Sequence, residues 1–172
     1  MKHAGWFHGS LSLHLIALKP QEPKTTPPHP SPNLRKSPKS AAPARAQDAA
    51  LYKSWIDALY LRGMHIVAAG SNSGFQSAEW PAHFPTVIAV GSDPDNRPEL
   101  CRASGGLTEF SSRGEEPEAL WPGGGTRNLI GSSFAAPRAA AYLARLLGRH
   151  PGLHPLLAKT ALRHIALPIP ME

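Results

Sequence analysis

The chain has 172 residues with 18 Lys and Arg against 12 Asp and Glu, a formal charge of +6. Five units of that charge lie in the first 50 residues, so the remainder is nearly neutral and a basic nucleic-acid-binding face on the folded part is excluded. A single cysteine, Cys101, excludes an internal disulfide framework, and no apolar run is long enough for a membrane span. We therefore expect one ordinary domain, or a small domain with a tail, and neither nucleic acid nor membrane as a partner.

The first 47 residues divide into two parts. Residues 1–19 hold a short apolar stretch, which we interpret as a strand or a helix remnant. Residues 20–43 contain eight prolines in 24 positions, so residues 20–47 are predicted to be a basic, proline-rich disordered linker or loop insertion. The apolar stretch from 11 to 18 is only a weak match to a secretory signal peptide, because Ser12 and His14 interrupt it and no small-residue cleavage site clearly follows. The compartment of the protein therefore stays open.

Residues 48–172 carry the pattern of an α/β domain. A helix is predicted from Asp48 to a stop at Gly63, followed by apolar strands over 64–69 and 86–91. Further helices are predicted over 133–148 and 154–164. Continuous apolar strands that alternate with helices predict a layered fold with a parallel sheet.

The segment Gly-Ser-Ser-Phe-Ala-Ala-Pro at 131–137 is the most informative motif. Small residues lead directly into a helix, which places Ser133 on its first turn. The positive end of a helix favours a serine nucleophile and a developing oxyanion. Taken alone, such a serine is more often a helix cap, so the assignment depends on the other motifs.

Four motifs in order resemble those of the subtilase family of serine proteases. Segment 131–137 resembles G-T-S-M-A-x-P, and Ala68–Gly74 resembles A-A-G-N-x-G. Segment 80–91 resembles Y-P-A-x-Y-P-x-V-I-A-V-G, and 110–114 resembles the turn F-S-S-x-G. The resemblance implies the C-terminal half of a subtilisin-like, three-layer parallel α/β domain, incomplete in this chain and preceded by the proline-rich segment.

The resemblance also implies site residues. Ser133 matches the nucleophile, and Asn72 matches the asparagine that donates to the oxyanion. Ser71 replaces a glycine beside it and is expected to narrow the primary specificity pocket. Because Pro137 lies early in the helix, its missing N–H is expected to remove no intrahelical hydrogen bond. The implied substrate is a protein or a peptide.

The sequence offers one candidate for the triad histidine and none for the triad aspartate. His8-Gly9-Ser10 is similar to the family's H-G-T-H, in which case Leu15-Ile16-Ala17 continues a helix and His8 is the base. Alternatively, Gly9–Leu13 is similar to the substrate-binding strand, which we prefer, and no triad histidine is present. No segment matches the aspartate turn.

Two functions therefore stay open: a serine endopeptidase whose chain here is partial, and a non-catalytic subtilase-like domain that acts as a binding module. No metal ligands pair at suitable spacing, and no calcium site can be assigned, although subtilases often bind calcium and are often secreted. A half-sheet is expected to associate through an exposed edge.

Overall fold

The computed structural model describes residues 15–18, 49–72, 75–76, 78–103, 105–120 and 124–169. His8, Asp48 and the proline-rich segment 20–47 lie outside these ranges, and so do the expectations that concern them.

The described residues form three helices and eight strands. The helices are α1 (Ala49–Leu61), α2 (Ser132–Arg149) and α3 (Pro155–Ile165). The strands are β1 (Leu15–Leu18), β2 (His65–Ala69), β3 (Val87–Ser92), β4 (Cys101–Arg102), β5 (Phe110–Ser112), β6 (Glu115–Leu120), β7 (Thr126–Ile130) and β8 (Leu167–Pro168). All five elements predicted within residues 48–172 are present, with ends that differ by one or two residues.

The main sheet has the strand order β1-β2-β3-β5-β4-β8. Its centre, β2-β3-β5, is parallel, as the continuous apolar strands predicted. The pairs β1–β2 and β4–β5 are antiparallel, so the sheet is mixed rather than wholly parallel. Strands β6 and β7 form a separate antiparallel hairpin.

Alternation along the central strands divides the core between two faces. Val67 of β2 and Ile88 of β3 pack with the buried alanines of α2 and with Leu162 of α3. Ile66 and Val87, the neighbours of those two strand residues, pack against Ile56 of α1 on the opposite face. Since successive side chains of a strand point to opposite faces, a fully apolar strand requires a helix on each side. The three-layer prediction is therefore confirmed.

Two local features explain how the helices end and pack. Gly63 follows α1 with φ of 70°, a conformation that glycine adopts without the steric cost of a β-carbon. Helix α2 presents Ala135, Ala136 and Ala139 to the sheet, each fully buried. Their small size allows the helix axis to approach the strands closely, and this brings the start of α2 near the ends of β2 and β3.

Of the strand and the helix that were open for Leu15-Ile16-Ala17, the structure has strand β1, because its backbone pairs with β2. One local expectation was wrong. Phe110–Ser112 is strand β5 and not a turn, since it pairs with β3. The hairpin β6–β7 and the two-residue strands β4 and β8 were not predicted, because they lack a run of alternating or continuous apolar residues long enough to recognise.

None of the helices within the described ranges combines the length and the apolar composition needed to cross a membrane.

Candidate active site

The turn after β2 is the first wall of the site. The Gly70 N–H donates to the Val90 carbonyl at 2.7 Å, which continues the pairing of β2 with β3 into the turn. A β-carbon at Gly70 would lie 2.7 Å from Oγ1 of the buried Thr108. Position 70 therefore requires glycine for close packing, and the turn leaves the sheet along a fixed path.

Ser132, the first residue of α2, connects the helix to this turn through two hydrogen bonds. Its hydroxyl donates to the Gly70 carbonyl at 2.7 Å, and its backbone N–H donates to Oδ1 of Asn72 at 2.7 Å. Ser132 is fully buried, and the bond from its hydroxyl to Gly70 is shielded from water. A buried bond of this kind is costly to leave unmade, and the pair therefore holds Asn72 at the helix start.

The same contact fixes the orientation of the Asn72 amide. A backbone N–H can only donate, so the Asn72 atom that it contacts must be the oxygen. The Nδ2 group, with its two donor hydrogens, is then the other end of the amide. The residue as a whole is exposed. An uncharged donor beside the helix start is what the family resemblance implied for this position.

Gly131 separates the nucleophile candidate from this amide. A β-carbon built on Gly131 would lie 3.4 Å from Ser133 Oγ and 3.7 Å from both Asn72 Nδ2 and Oδ1. The structure thus brings Ser133 and Asn72 together around one backbone position. Ser133 is half-buried on the first turn of α2, where the unpaired N–H groups of a helix give a positive potential.

Gly114 holds Gly131 in place. Its carbonyl accepts a hydrogen bond from the Gly131 N–H at 2.9 Å. A β-carbon at Gly114 would lie 2.6 Å from Ser92 Cβ and 3.0 Å from the Gly131 carbonyl oxygen, so no side chain fits there. The glycine of the segment 110–114 therefore serves close packing between the end of β3 and the start of α2.

The expectation for Pro137 was wrong. Helix α2 begins at Ser132, which places Pro137 in the second turn, where a residue with an N–H would donate to the Ser133 carbonyl. Proline cannot make this bond. The exposed side of α2, on which Pro137 lies, accommodates the ring.

Ser71 is buried between Gly70 and Asn72, and its side chain is a hydrogen-bonding partner of the Glu79 carboxyl. Burial raises the pKa of the Glu79 carboxyl, while a hydrogen bond with the Ser71 side chain opposes that rise. Sequence analysis singled out Ser71 and missed Glu79. The only signal for Glu79 was its place directly before the Trp80-Pro81 motif.

The described histidines do not supply a triad. His65 begins β2 as a buried residue, and burial lowers its pKa. Within the ranges that the structure describes, no histidine makes an ion pair or hydrogen bond with a carboxylate. The assignment of His8 and the missing triad aspartate therefore stay predictions.

Asp93, directly after β3, is a buried acidic residue, but its partner is an arginine and not a histidine. The Asp93 side chain is fully buried and accepts bonds from Arg97 Nε and Nη2, each at 3.0 Å, and from Ser111 Oγ at 2.9 Å. Burial alone would raise its pKa, but these bonds and the guanidinium charge lower it overall. Asp93 therefore anchors the segment after β3 and carries a structural charge.

A second buried charge connects α3 to the sheet. Lys159 Nζ donates to the carbonyls of Pro85 and Val87 at 2.7 and 2.8 Å and lies 2.6 Å from Glu109 Oε2. Burial lowers the Lys159 pKa, and the Glu109 carboxylate opposes this. No group of three metal-ligating side chains occurs among the described residues, and none of these contacts suggests a calcium site.

Comparison with known proteins identifies the family. The profile of the Subtilase family matches residues 36–170, most of the chain. The chain belongs to the subtilase family.

Individual subtilases align over part of their length. Subtilisin DY of Bacillus licheniformis is 31% identical over 106 residues, which cover 59% of this chain and 39% of that protein. A subtilisin-like protease of Coccidioides posadasii is 37% identical over 87 residues, covering 49% and 22%. The fold is similar to that of Sphericase, with a TM-score of 0.51 and 22% identity over 67% of this chain and 44% of that one. This subtilase chain thus spans less than half the length of each of these relatives.

Proposed function

We propose that this subtilase chain carries the nucleophile and the oxyanion-binding half of a serine endopeptidase site. Ser133 is the nucleophile, and the Asn72 amide together with the Ser133 N–H binds the oxyanion. The observation that supports this most directly is the double hydrogen bond of Ser132, which holds the Asn72 amide beside Ser133.

The reaction follows from that arrangement. Ser133 Oγ bonds to the carbonyl carbon of a peptide while its proton passes to a general base, and the carbonyl oxygen becomes an anion. That anion lies between two uncharged donors in a partly desolvated site, where hydrogen bonds stabilise it more than bulk water does. Collapse of the intermediate breaks the C–N bond as the amine takes a proton, and water then releases the acyl group.

The general base is the part of the mechanism that the described residues do not contribute. In subtilases it is a histidine oriented by an aspartate. His8 is the candidate histidine of this chain, and no residue is assigned as the aspartate. A serine without a base is a poor nucleophile at neutral pH, so the base decides between a protease and a non-catalytic binding module.

Labelling with a fluorophosphonate probe tests the proposal. We expect wild type to be labelled, Ser133→Ala to lose the label and Ser54→Ala to keep it, since Ser54 is an exposed serine on α1. If His8 is the base, His8→Ala loses the label as well.

A folded sample without label would contradict an activated Ser133 and therefore hydrolysis by this chain. The lack of a histidine–carboxylate pair among the described residues would then favour a subtilase-like domain that binds peptides without cleaving them. Folding is checked by far-UV circular dichroism of each variant.

A further inference from the structure

A cavity of about 260 Å³ lies between helix α2 and the segment after β3, and the proposed mechanism does not use it. Its lining consists of one residue of that segment and four residues of α2, namely Pro98, Arg138, Ala141, Tyr142 and Arg145. Among the described residues that line it, two carry a positive charge and none carries a negative one. Neither Ser133 nor Asn72 belongs to this lining, so a ligand of the cavity would not occupy the proposed oxyanion site.

The two arginines lie on one face of α2 because of their spacing. Arg138, Tyr142 and Arg145 stand at positions i, i+4 and i+7, which follow one another along one side of an α-helix. Ala139 and Leu143, each one residue further along the chain, are fully buried in the core. The helix therefore packs its apolar face on the sheet and presents this polar face to the segment after β3.

The wall opposite α2 is fixed by contacts with the sheet. The Pro98 carbonyl accepts a hydrogen bond from Ser112 Oγ at 3.4 Å. Its neighbour Arg97 donates two bonds to the buried Asp93 carboxylate. On the helix side, Tyr142 is partly buried and packs against the core. The cavity is thus formed by positioned elements before a ligand binds, and this lowers the entropic cost of binding.

The size of the cavity limits its occupant to a small molecule or to one side chain of a larger one. Pockets for drug-sized ligands usually have about 300–1,000 Å³, and this cavity lies just below that range. Pro98, Ala141 and Tyr142 give it apolar surface beside the two charges. An organic body the size of one ring can therefore be covered while an anionic group reaches the arginines.

The charged and polar groups of the lining indicate which anion fits. Each guanidinium presents its donors as a planar fork that matches the oxygens of a carboxylate or a phosphate. A phosphate monoester carries close to two negative charges at neutral pH and has three acceptor oxygens on one group. These oxygens match the three donor groups of the lining, which are two guanidiniums and a phenol hydroxyl. A single carboxylate would balance only one of the two positive charges.

We propose that the cavity between α2 and Pro98 is a binding site for a phosphate monoester. Arg138 and Arg145 hold the phosphate, and Tyr142 contributes its hydroxyl and a ring face for the organic body. The inference does not rest on the proposed roles of Ser133 and Asn72. Since Arg145 is exposed, its contribution is expected to resemble that of a favourable surface ion pair.

An NMR titration of the isotope-labelled full chain tests the proposal. The probes are phenyl phosphate and phenyl sulfate, which share the ring and a tetrahedral head group but differ by close to one negative charge at pH 7. We expect phenyl phosphate to bind at least about threefold more tightly than phenyl sulfate. Its addition should shift the amide signals of Arg138, Tyr142 and Arg145.

Three variants of exposed arginines on α2 test the contacts. Arg145→Gln should weaken the binding of phenyl phosphate at least about threefold, because one guanidinium is lost. Arg145→Lys keeps the charge without the fork and should retain part of the affinity. The matched control is Arg149→Gln, which removes an exposed arginine one helical turn further on and outside the lining, and which should leave the affinity unchanged.

Four results would overturn the proposal: no binding of phenyl phosphate at millimolar concentration, equal affinity for the two probes, unchanged affinity in Arg145→Gln, or signal changes confined to the start of α2. The last result would mean that the anion binds the unpaired N–H groups of the helix start instead. Acetyl-phosphotyrosine amide then distinguishes two sources of the phosphate. Binding as tight as that of phenyl phosphate supports a phosphorylated side chain as the ligand, and exclusion of this probe supports a free phosphate ester.

Discussion

Replacing Gly131 with alanine should block the proposed site while leaving the fold intact. The backbone at Gly131 is extended, with φ of 178° and ψ of 155°, which an alanine can adopt. The added methyl would lie 3.4 Å from Ser133 Oγ and 3.7 Å from the Asn72 amide, both ordinary van der Waals distances. The space between the proposed nucleophile and the proposed oxyanion donor would then be occupied by carbon.

The two consequences have different magnitudes. Stability should change by no more than about 0.5 kcal/mol, because the contacts are unstrained and alanine restricts the unfolded chain more than glycine does. An oxygen bound in the site must come within roughly 3 Å of its donor, and the methyl leaves no room for that approach. We expect the labelling rate at Ser133 to fall at least about tenfold, which corresponds to about 1.4 kcal/mol.

The assay combines a thermal unfolding curve with the time course of fluorophosphonate labelling. Gly114→Ala is the matched control, because its methyl would lie 2.6 Å from Ser92 Cβ and 3.0 Å from the Gly131 carbonyl oxygen. That variant should lose stability by about 1–3 kcal/mol through overpacking. Unchanged labelling in a folded Gly131→Ala protein would refute the placement of the oxyanion between Ser133 and Asn72.

Three further predictions follow from the described contacts. Asn72→Asp keeps an oxygen that accepts from the Ser132 N–H but removes the amide donor. Tm should therefore change little, while labelling of Ser133 should slow. Removal of such a donor in a subtilisin lowers turnover by about 10²–10³. Asp93→Asn should lower the free energy of unfolding by about 3–5 kcal/mol at pH 7, because it leaves the Arg97 charge without its buried partner. Since the folded pKa of Asp93 lies below its ordinary 3.8, its contribution is present above that pH and is lost as the pH falls through the folded pKa. Denaturation curves of both proteins should therefore converge in acid, and a constant difference would contradict the assignment. Finally, edge strand β1 is expected to promote association, so a sharp monomer peak in size-exclusion chromatography at micromolar concentration would count against it.

Much of the site could be read from short segments of sequence. Ser133 and Asn72 were selected because each stands in a motif whose backbone is set locally, by a glycine-rich turn in one case and a helix start in the other. Glu79 could not be found in this way. Its partial burial beside Ser71 is decided by how the segment before Trp80 packs against the turn after β2.

The strands of the core were likewise predictable only in part. Continuous apolar runs at 64–69 and 86–91 were sufficient to predict parallel strands covered by helices on both faces, because a strand without a polar face must be buried on both sides. The direction of β1 and the pairing of β4 and β8 were not predictable. Strands of two to four residues have too few side chains to encode a register, and their pairing depends on the neighbours that the tertiary fold provides.

The sequence by itself therefore determined the family, the order of the main elements and the two residues proposed to act on the substrate, because each of these is encoded in contiguous residues. Tertiary structure alone decided the contacts between distant segments. The bonds of Ser132 to Gly70 and Asn72, the packing of Gly114 against Gly131, and the buried charges of Asp93 and Lys159 join residues that no local pattern connects. Their physical cause is the burial of polar groups, each of which must find a partner wherever the packed chain places one.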